Sequence, residues 1–295
     1  MILPLFDMQF GQLVRPEDTP GGCGGFNSDV FRKRFDRYVQ AVGANALDYA
    51  HSHTIENVAF VFGGDMVEGD GTIYRGQSWQ LEMDAAEQVV RLKDILASGL
   101  DELIGLFKEE IGVKRIAVFW IPGNHGKAGG KRAGATPATL SYDYLLGRWM
   151  QETLKNYPVD RFVVEPGGEI LFDSRGWIFR VIHGDEVRGW GGIPFYGLTR
   201  MDAAAVRLHN IVFDYLLLGH HHRAASIPIG AAEHLMSGDW VGHNNMARTG
   251  SAPLGRPSQW QYFVAKEYGV CDRSLIQLTL PDEIRRPDIY RLTPI

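Results

Sequence analysis

Carboxylate, amide and imidazole side chains recur in four short runs of this chain: Gly64-Asp65-Met66-Val67-Glu68, Gly123-Asn124-His125, His183-Gly184-Asp185 and Gly219-His220-His221-His222. Mixed oxygen and imidazole donors suit manganese, iron or zinc better than calcium. Each run also has an ordinary reading. Asp65 follows two glycines and fits a turn or a helix cap; Glu68 fits a solvated acid, and Pro122-Gly123-Asn124 a turn. His183, at the end of an apolar strand, fits a satisfied core residue, and the His220–His222 triplet an exposed run. The order of the four runs, each standing where a β-rich stretch gives way to a loop, decides for metal. Asn124 offers a neutral amide oxygen, and His125 a ring suited to proton donation near neutral pH. In an extended segment His220 and His222 point the same way and His221 points away, giving one ligand to each of two neighbouring ions. Such a pair of ions acts on phosphate esters.

The elements that must position these groups are legible from periodicity. Met1 to Phe6 is an apolar stretch without a basic start that ends at Asp7; it reads as a first strand and not a signal peptide. Val30, Phe31, Phe35, Tyr38, Val39, Val42, Ala46 and Leu47 recur with helical spacing, with Asn27 or Ser28 as N-cap. Val58–Phe62 and Ile116–Ile121 are continuous apolar runs of the kind buried on both faces of a parallel sheet; they deliver Asp65 and Asn124. A long helical stretch over 80–108 is expected to break near Gly99, and a further helix spans Tyr142 to Lys155. Glu169–Phe172 and Trp177–Ile182 flank Asp173-Ser174-Arg175-Gly176 as a hairpin. Tyr215–Leu218 leads into the His run, and strands follow at Ala224–Ile229, Gln261–Ala265 and Leu275–Leu280. In layered α/β folds, ligand groups gather where loops leave the carboxyl ends of strands.

Composition sets the frame. The chain has 295 residues, 45% hydrophobic and 22% charged, which fits one folded domain over 1–295 with a substantial core. Its two cysteines, Cys23 and Cys271, form neither a disulfide framework nor a CxxC pair, so a reducing compartment, the cytoplasm, is expected. No run approaches the roughly 18 apolar residues of a membrane span. A net charge of -5 gives no global attraction to nucleic acid, so any such contact must come from a local patch or the metals themselves.

With these motifs in hand, the chain resembles the calcineurin-like metallophosphoesterases, whose signature runs D-x-H, G-D-x-x-[DE], G-N-H-[DE], a mid-chain His and G-H-x-H. The resemblance spans roughly residues 7 to 222, and in Asp7-Met8-Gln9-Phe10-Gly11 it looks most like the phage and repair-nuclease branch. It implies a four-layer α/β/β/α sandwich with two central mixed sheets, and two divalent ions, manganese first and iron or zinc otherwise. It implies that Asp65 bridges the ions, that Asn124, His183 and His220 complete one site, and that Asp7 and His222 serve the other. His125 is then the general acid for attack by a metal-bridging hydroxide.

Two family positions are changed here. Gln9 stands where a histidine is expected, so the Asp7/His222 site is expected to be the weaker. Gly126 stands where an acid follows G-N-H, so His125 must lean on another carboxylate, Glu68 or Asp70, or act as a neutral donor. For substrate, the basic segment Lys127 to Arg132, with Lys127, Lys131 and Arg132, is either a solvated loop or a phosphate contact. Arg188 with Trp190, Phe195 and Tyr196 offers a charge and aromatic faces for bases, or merely packs the loop. Together they favour a phosphodiesterase or nuclease acting on nucleic acid or nucleotides, with a homodimer conceivable from family habit and no membrane partner. Phosphomonoesterase or protein phosphatase activity is the alternative within the same chemistry. A non-catalytic metal-binding scaffold with a decayed site is the alternative from another class. Ser237-Gly238-Asp239-Trp240 is expected to line the cleft, and His51, His53, His209, His234 and His243 are expected to be structural or exposed.

Overall fold

In the computed structural model, residues 1–19, 22, 24–129, 137–189, 194–210, 212–243 and 256–280 are described. Among these residues, eleven strands are arranged in two sheets. The first sheet holds β1 (Ile2–Leu5), β2 (Asn57–Gly63), β3 (Arg115–Ile121), β4 (Arg161–Val164), β10 (Ser258–Ala265) and β11 (Gly269–Gln277), in the order β11-β10-β1-β2-β3-β4. The run from β1 to β4 is parallel and the β10–β11 hairpin adds antiparallel to β1. The second sheet holds β5 (Glu169–Ser174), β6 (Trp177–Ile182), β7 (Tyr215–Leu218), β8 (Ala225–Ile229) and β9 (Ala232–Met236), in the order β5-β6-β7-β9-β8. Its three central strands are parallel, and β5 and β8 close it antiparallel.

Strand alternation builds the layers. Leu3, Leu5, Val58, Phe60, Phe62, Val118 and Trp120 face outward, onto α1 (Ser28–Ala50), α2 (Ala85–Gly105) and α3 (Tyr142–Thr153). Their neighbours Ile2, Val61, Phe119 and Ile121 face inward and meet Phe179, Val181, Tyr215, Leu217 and Leu235 of the second sheet. Leu216, Leu218 and Met236 turn away again, onto Leu198 of α4 (Phe195–His209). The molecule is thus the α/β/β/α sandwich with two mixed sheets expected from the sequence. Asn27 caps α1 through Oδ1, which accepts from Val30 N–H at 2.9 Å.

Five elements differ from the sequence expectation. The 85–105 helix is not broken at Gly99: a Cβ there would lie 2.4 Å from the Phe35 ring, so the glycine lets α1 and α2 approach closely. Strand β11 starts at Gly269, well before Leu275, because its polar, half-exposed residues Cys271 to Arg273 lie on the sheet edge, where pairing with β10 needs no apolar side chain. Strands β4 and β9 and helix α4 carried too weak a pattern to be expected. The 169–182 hairpin is as expected, its turn made by Arg175 and Gly176 with φ of 61° and 92°.

Two buried polar side chains, neither singled out by the sequence, tie the strand ends together. Asp143, on the first turn of α3, accepts from Asp65 N–H (2.9 Å) and Gly123 N–H (2.9 Å) on Oδ2, and from Met66 N–H (3.1 Å) and Val67 N–H (3.2 Å) on Oδ1. Burial pushes its pKa up to about 6, against the pull of those amides. Gln259 accepts from Phe6 N–H at 3.2 Å and donates to Phe6 O (3.1 Å) and Gly238 O (2.7 Å), fixing the residues that immediately precede Asp7 and Asp239. Replacing Asp143 by Ala strands four buried N–H groups, each unsatisfied group costing about 1–3 kcal/mol. Asp143→Ala is therefore expected to lower unfolding stability in chelator by at least about 3 kcal/mol, read by urea denaturation. Asp143→Asn, which turns an NH2 on donors, should recover little of it; a wild-type midpoint for either variant refutes the staple.

Candidate active site

Every candidate ligand lies just beyond the carboxyl end of a parallel strand: Asp7 and Gln9 after β1, Asp65 after β2, Asn124 and His125 after β3, His183 after β6, and His220 and His222 after β7. Both sheets therefore aim their loops at one edge of the sandwich. The loops after β1 and β2 run side by side, with Asp7 N–H to Gly64 O (3.1 Å) and Gln9 N–H to Asp65 O (2.9 Å). The backbone here is strained. Asp7, Gln9, Asp65, His220 and His222 all have left-handed φ, between 44° and 64°, and among the described residues only Arg175 and Asn210 share that state without being glycine. The expectation of an extended His220–His222 segment is thus corrected. Strand β7 stops at Leu218, and two left-handed residues, not strand alternation, turn both rings into the site.

At the centre, Asp65 is fully buried. Its Oδ1 accepts from His125 N–H at 2.7 Å, while Oδ2 receives no hydrogen bond. His183 Nε2 lies 3.0 Å from that orphaned oxygen and 3.2 Å from Asn124 Oδ1. Its Nδ1 is 3.0 Å from the carbonyl of Gly63, which can only accept, so Nδ1 carries the donated proton. Three acceptor atoms then converge, and His220 joins them: donor atoms of Asp65, His183 and His220 all lie within 4.8 Å of one another. Such a set needs a cation at its focus, and oxygen with imidazole nitrogen fits manganese, iron or zinc. Without one, a proton takes its place: burial opposes charging His183, but the Asp65 carboxylate outweighs it and holds the ring's pKa up at about 10. Burial raises and the histidine charges lower the Asp65 pKa, which ends well below the usual range. Burial and the His183 charge push His220 down to about 3, leaving its lone pair free for a metal.

The other half is built differently. Both oxygens of buried Asp7 accept from His220 N–H, at 3.1 and 2.8 Å. Burial raises the Asp7 pKa to about 6, against the pull of His222 and His183. His222 Nε2 lies 3.7 Å from Asp7 Oδ1 and 3.3 Å from Gln9 Nε2, and its Nδ1 is 3.5 Å from Asp239 Oδ2. The lone pair that a metal would need on His222 faces the Gln9 amide nitrogen, while Gln9 Oε1 is buried without a partner. Half a turn of the amide would present Oε1 instead. A metal between Asp7 and His222 must displace that hydrogen bond or wait for that turn. Of the 237–240 segment expected to line the cleft, Asp239 reaches His222, whereas Trp240 packs into the core against Phe31, Phe35 and Tyr38.

His125 has its carboxylate after all. Nδ1 is 3.0 Å from Oε2 of fully buried Glu68, and Nε2 turns to Asp65 Oδ2 at 3.8 Å. Glu68 Oε1 is taken by Tyr74 OH (2.9 Å) and Gln77 Nε2 (2.8 Å), leaving Oε2 for the ring. Burial opposes the charged ring, but Glu68 and Asp65 raise its pKa to about 9. Asp70 is not the partner; it binds Thr72 and Gly129 N–H. The glycine at 126 also has a cause: a Cβ there would sit 2.8 Å from Asp143 Cγ, so no acid fits beside the staple. Tyr74 and Gln77 were missed because nothing in their spacing marks them; only the loop's path brings them to Glu68.

Of the expected substrate contacts, Lys127 reaches back to Asp185 at 3.0 Å, across the mouth of the site. Arg188 is exposed, with its backbone against α4 at Gly197. Lys131, Arg132 and Trp190 lie outside the described residues, as does Cys23. His221 meets the His220 ring edge-on, with centroids 5.4 Å apart, and is not in the Asp65–His183–His220 group; His234 is structural, paired with Asp202 at 2.9 Å.

In the metal-free chain, a His183 pKa raised from about 6.5 to about 10 adds stability that is full below the unfolded value and is lost as pH rises through about 10. A metal ion competes with that proton, so between pH 7 and 9 apparent affinity should rise about tenfold per pH unit, with one proton released. Calorimetry in buffers of different ionisation enthalpy measures this, and a heat independent of buffer refutes it. The same titration should show two unequal events, and Gln9→His should tighten the weaker by about tenfold or more; two equally tight wild-type sites would contradict the asymmetry.

No protein-family model matches this sequence, and no curated protein matches it either. Among solved structures it is similar to the zinc complex of Vps29 from Entamoeba histolytica, at 15% identity and TM-score 0.31 over 59% of this chain and 89% of that one. It is also similar to an archaeal phosphodiesterase, at 11% identity and TM-score 0.35 over 81% and 92% of the two chains. A predicted phosphoesterase from Streptococcus pneumoniae matches at 10% identity and TM-score 0.30 over 94% and 96%. Likenesses this distant assign no chemistry, which rests on the geometry above.

Proposed function

We propose that the chain is a divalent-metal-dependent phosphoesterase whose substrates are phosphodiesters of nucleic acid or nucleotides. The observation that carries this is the buried Asp65 Oδ2, focused with His183 Nε2, Asn124 Oδ1 and His220 on one point beside a His125–Glu68 pair. Asp65, Asn124, His183 and His220 would hold the first ion; Asp7 and His222, with Gln9, would hold a second. Bound ions would supply Lewis-acid charge at the phosphate oxygens and acidify an attacking water.

The chain's own residues do the rest. Glu68 fixes the His125 ring so that Nε2 faces the cluster, and the charge of Glu68 and Asp65 keeps a proton there to about pH 9. That proton is positioned for the oxygen of the departing group. Exposed aromatics support a substrate with bases. Trp79 stands on the same short turn as Gln77, and Phe195 and Tyr196 open α4.

With manganese added, bis-nitrophenyl phosphate should be hydrolysed faster than nitrophenyl phosphate; the reverse order would favour a phosphomonoesterase. No turnover of either with metal bound would leave a scaffold. His125→Ala should lower kcat roughly 10²–10⁴-fold. Glu68→Gln should move the alkaline limb of the kcat profile below its position near pH 9, because it removes the charge that raises the His125 pKa. Labelled single- and double-stranded DNA then test the nuclease reading. Trp79→Ala should raise KM for DNA about tenfold and leave the small diester unaffected.

A further inference from the structure

A sizeable cleft lies away from the histidines. It is a space of about 1120 Å³ at the opposite end of the sandwich, where the first sheet's parallel strands begin. Strand alternation explains it. On the inner face of β2 and β3 the residues near the active-site edge, Val61, Phe119 and Ile121, are buried against the second sheet. Two and four residues back, the same faces carry only Ala59 and Asn57 on β2, and Ala117 and Arg115 on β3. Small side chains stand where the neighbouring layer has phenylalanine and isoleucine. Burial falls accordingly, from buried through intermediate to exposed, along both strands. Strand β4 adds Arg161, in register with Ala117, and Val163 on the same face. The facing wall is Ile170 and Phe172 of β5.

The charges at the mouth are unequal in their commitments. Glu56 is held by Lys114 and Arg175, Asp160 by Lys108 and the Ile116 N–H, and Asp173 by the Gly176 N–H. Arg115 and Arg161, neighbours on the β3 and β4 inner face, have no ion pair with any described carboxylate. A slot between two sheets, with apolar inner walls, a polar mouth and two guanidinium groups without an ion pair near its open end, matches the general form of a small-molecule site. Guanidinium favours carboxylate or phosphate oxygens.

We propose that this cleft binds a small amphipathic anion, with its apolar body against Ala59, Ala117, Val163 and Phe172 and its acid group at Arg115 and Arg161. The site is separate from the metal cluster, so its occupancy and the proposed hydrolysis can be measured independently.

Laurate, decanol and inorganic phosphate are the probes, titrated calorimetrically into the full chain, with laurate kept below its micellar range. Laurate is expected to bind one to one. Decanol, which lacks the charge, and phosphate, which lacks the apolar body, should each bind at least about tenfold more weakly, the loss of one charged contact being worth about a factor of ten. Ala117→Phe, which fills the slot, and Arg161→Gln, which does not touch its packing, should each weaken laurate about tenfold or more while metal binding at the far end is kept. If Ala117→Phe does not fold, Arg161→Gln and Arg115→Gln carry the test. Absence of saturable laurate binding, equal affinity for decanol, or wild-type affinity in the arginine variants overturns the proposal.

Discussion

One buried carboxylate holds the edge that carries the candidate site in shape. Asp143 collects four backbone N–H groups from the loops after β2 and β3, which would otherwise be donors without acceptors in a dry interior. By fixing the 65–67 and 123 segments to one point it sets where Asp65, Asn124 and His125 stand relative to each other. The same packing forbids a side chain at position 126 and so forces the acid that supports His125 to come from elsewhere. Glu68 serves, because the loop after β2 is pinned by the same staple. The second sheet is brought in by His183, whose Nδ1 is bound to the last carbonyl of β2. Alignment across the two sheets therefore rests on hydrogen bonds to strand ends, while apolar packing supplies the bulk of the stability.

The electrostatics of the edge follow from burial. Asp65, Asp7 and Glu68 are all removed from water, a state that costs several kcal/mol per ion unless matched by cations and donors. In the metal-free chain His183 and His125 provide the match as charged rings, His183 at Asp65 and His125 at Glu68. The left-handed backbone at five of the candidate ligands is a second stored cost. Both are concentrated where a metal-binding reading needs them. The asymmetry between the two halves has a concrete form: His183 presents a nitrogen to two oxygens, whereas His222 faces the nitrogen of the Gln9 amide.

The sandwich also has two unlike ends. Large inward side chains seal the sheets together beneath the loops, keeping water from the back of the cluster. Alanines on the same faces leave the far end open, with arginines at its rim. The period-two pattern of a strand permits this because each inner position is chosen independently of its outer neighbours.

Residue type and spacing alone determined which groups could meet a metal and the buried strands that carry them; the sandwich was expected only through the family resemblance of those motifs. Asp65, Asn124, His183 and His220 stood out as candidate ligands because few residue types can bind a metal, His125 because of its place beside Asn124, and β2 and β3 because burial on both faces leaves an unbroken apolar run. The identity of the acid behind His125 was decided only by the fold, since Glu68 and Asp70 are equivalent in sequence and differ only in which way the loop turns. The roles of Asp143, Gln259 and Tyr74 were likewise invisible, because a hydrogen bond to a distant backbone leaves no periodic signature. Strand β4, strand β9 and helix α4 were also hidden, being half-exposed elements whose stability comes from neighbours far away in the chain. Local chemistry is written in local sequence; the partners of buried polar groups are settled by chain topology, which only the folded structure displays.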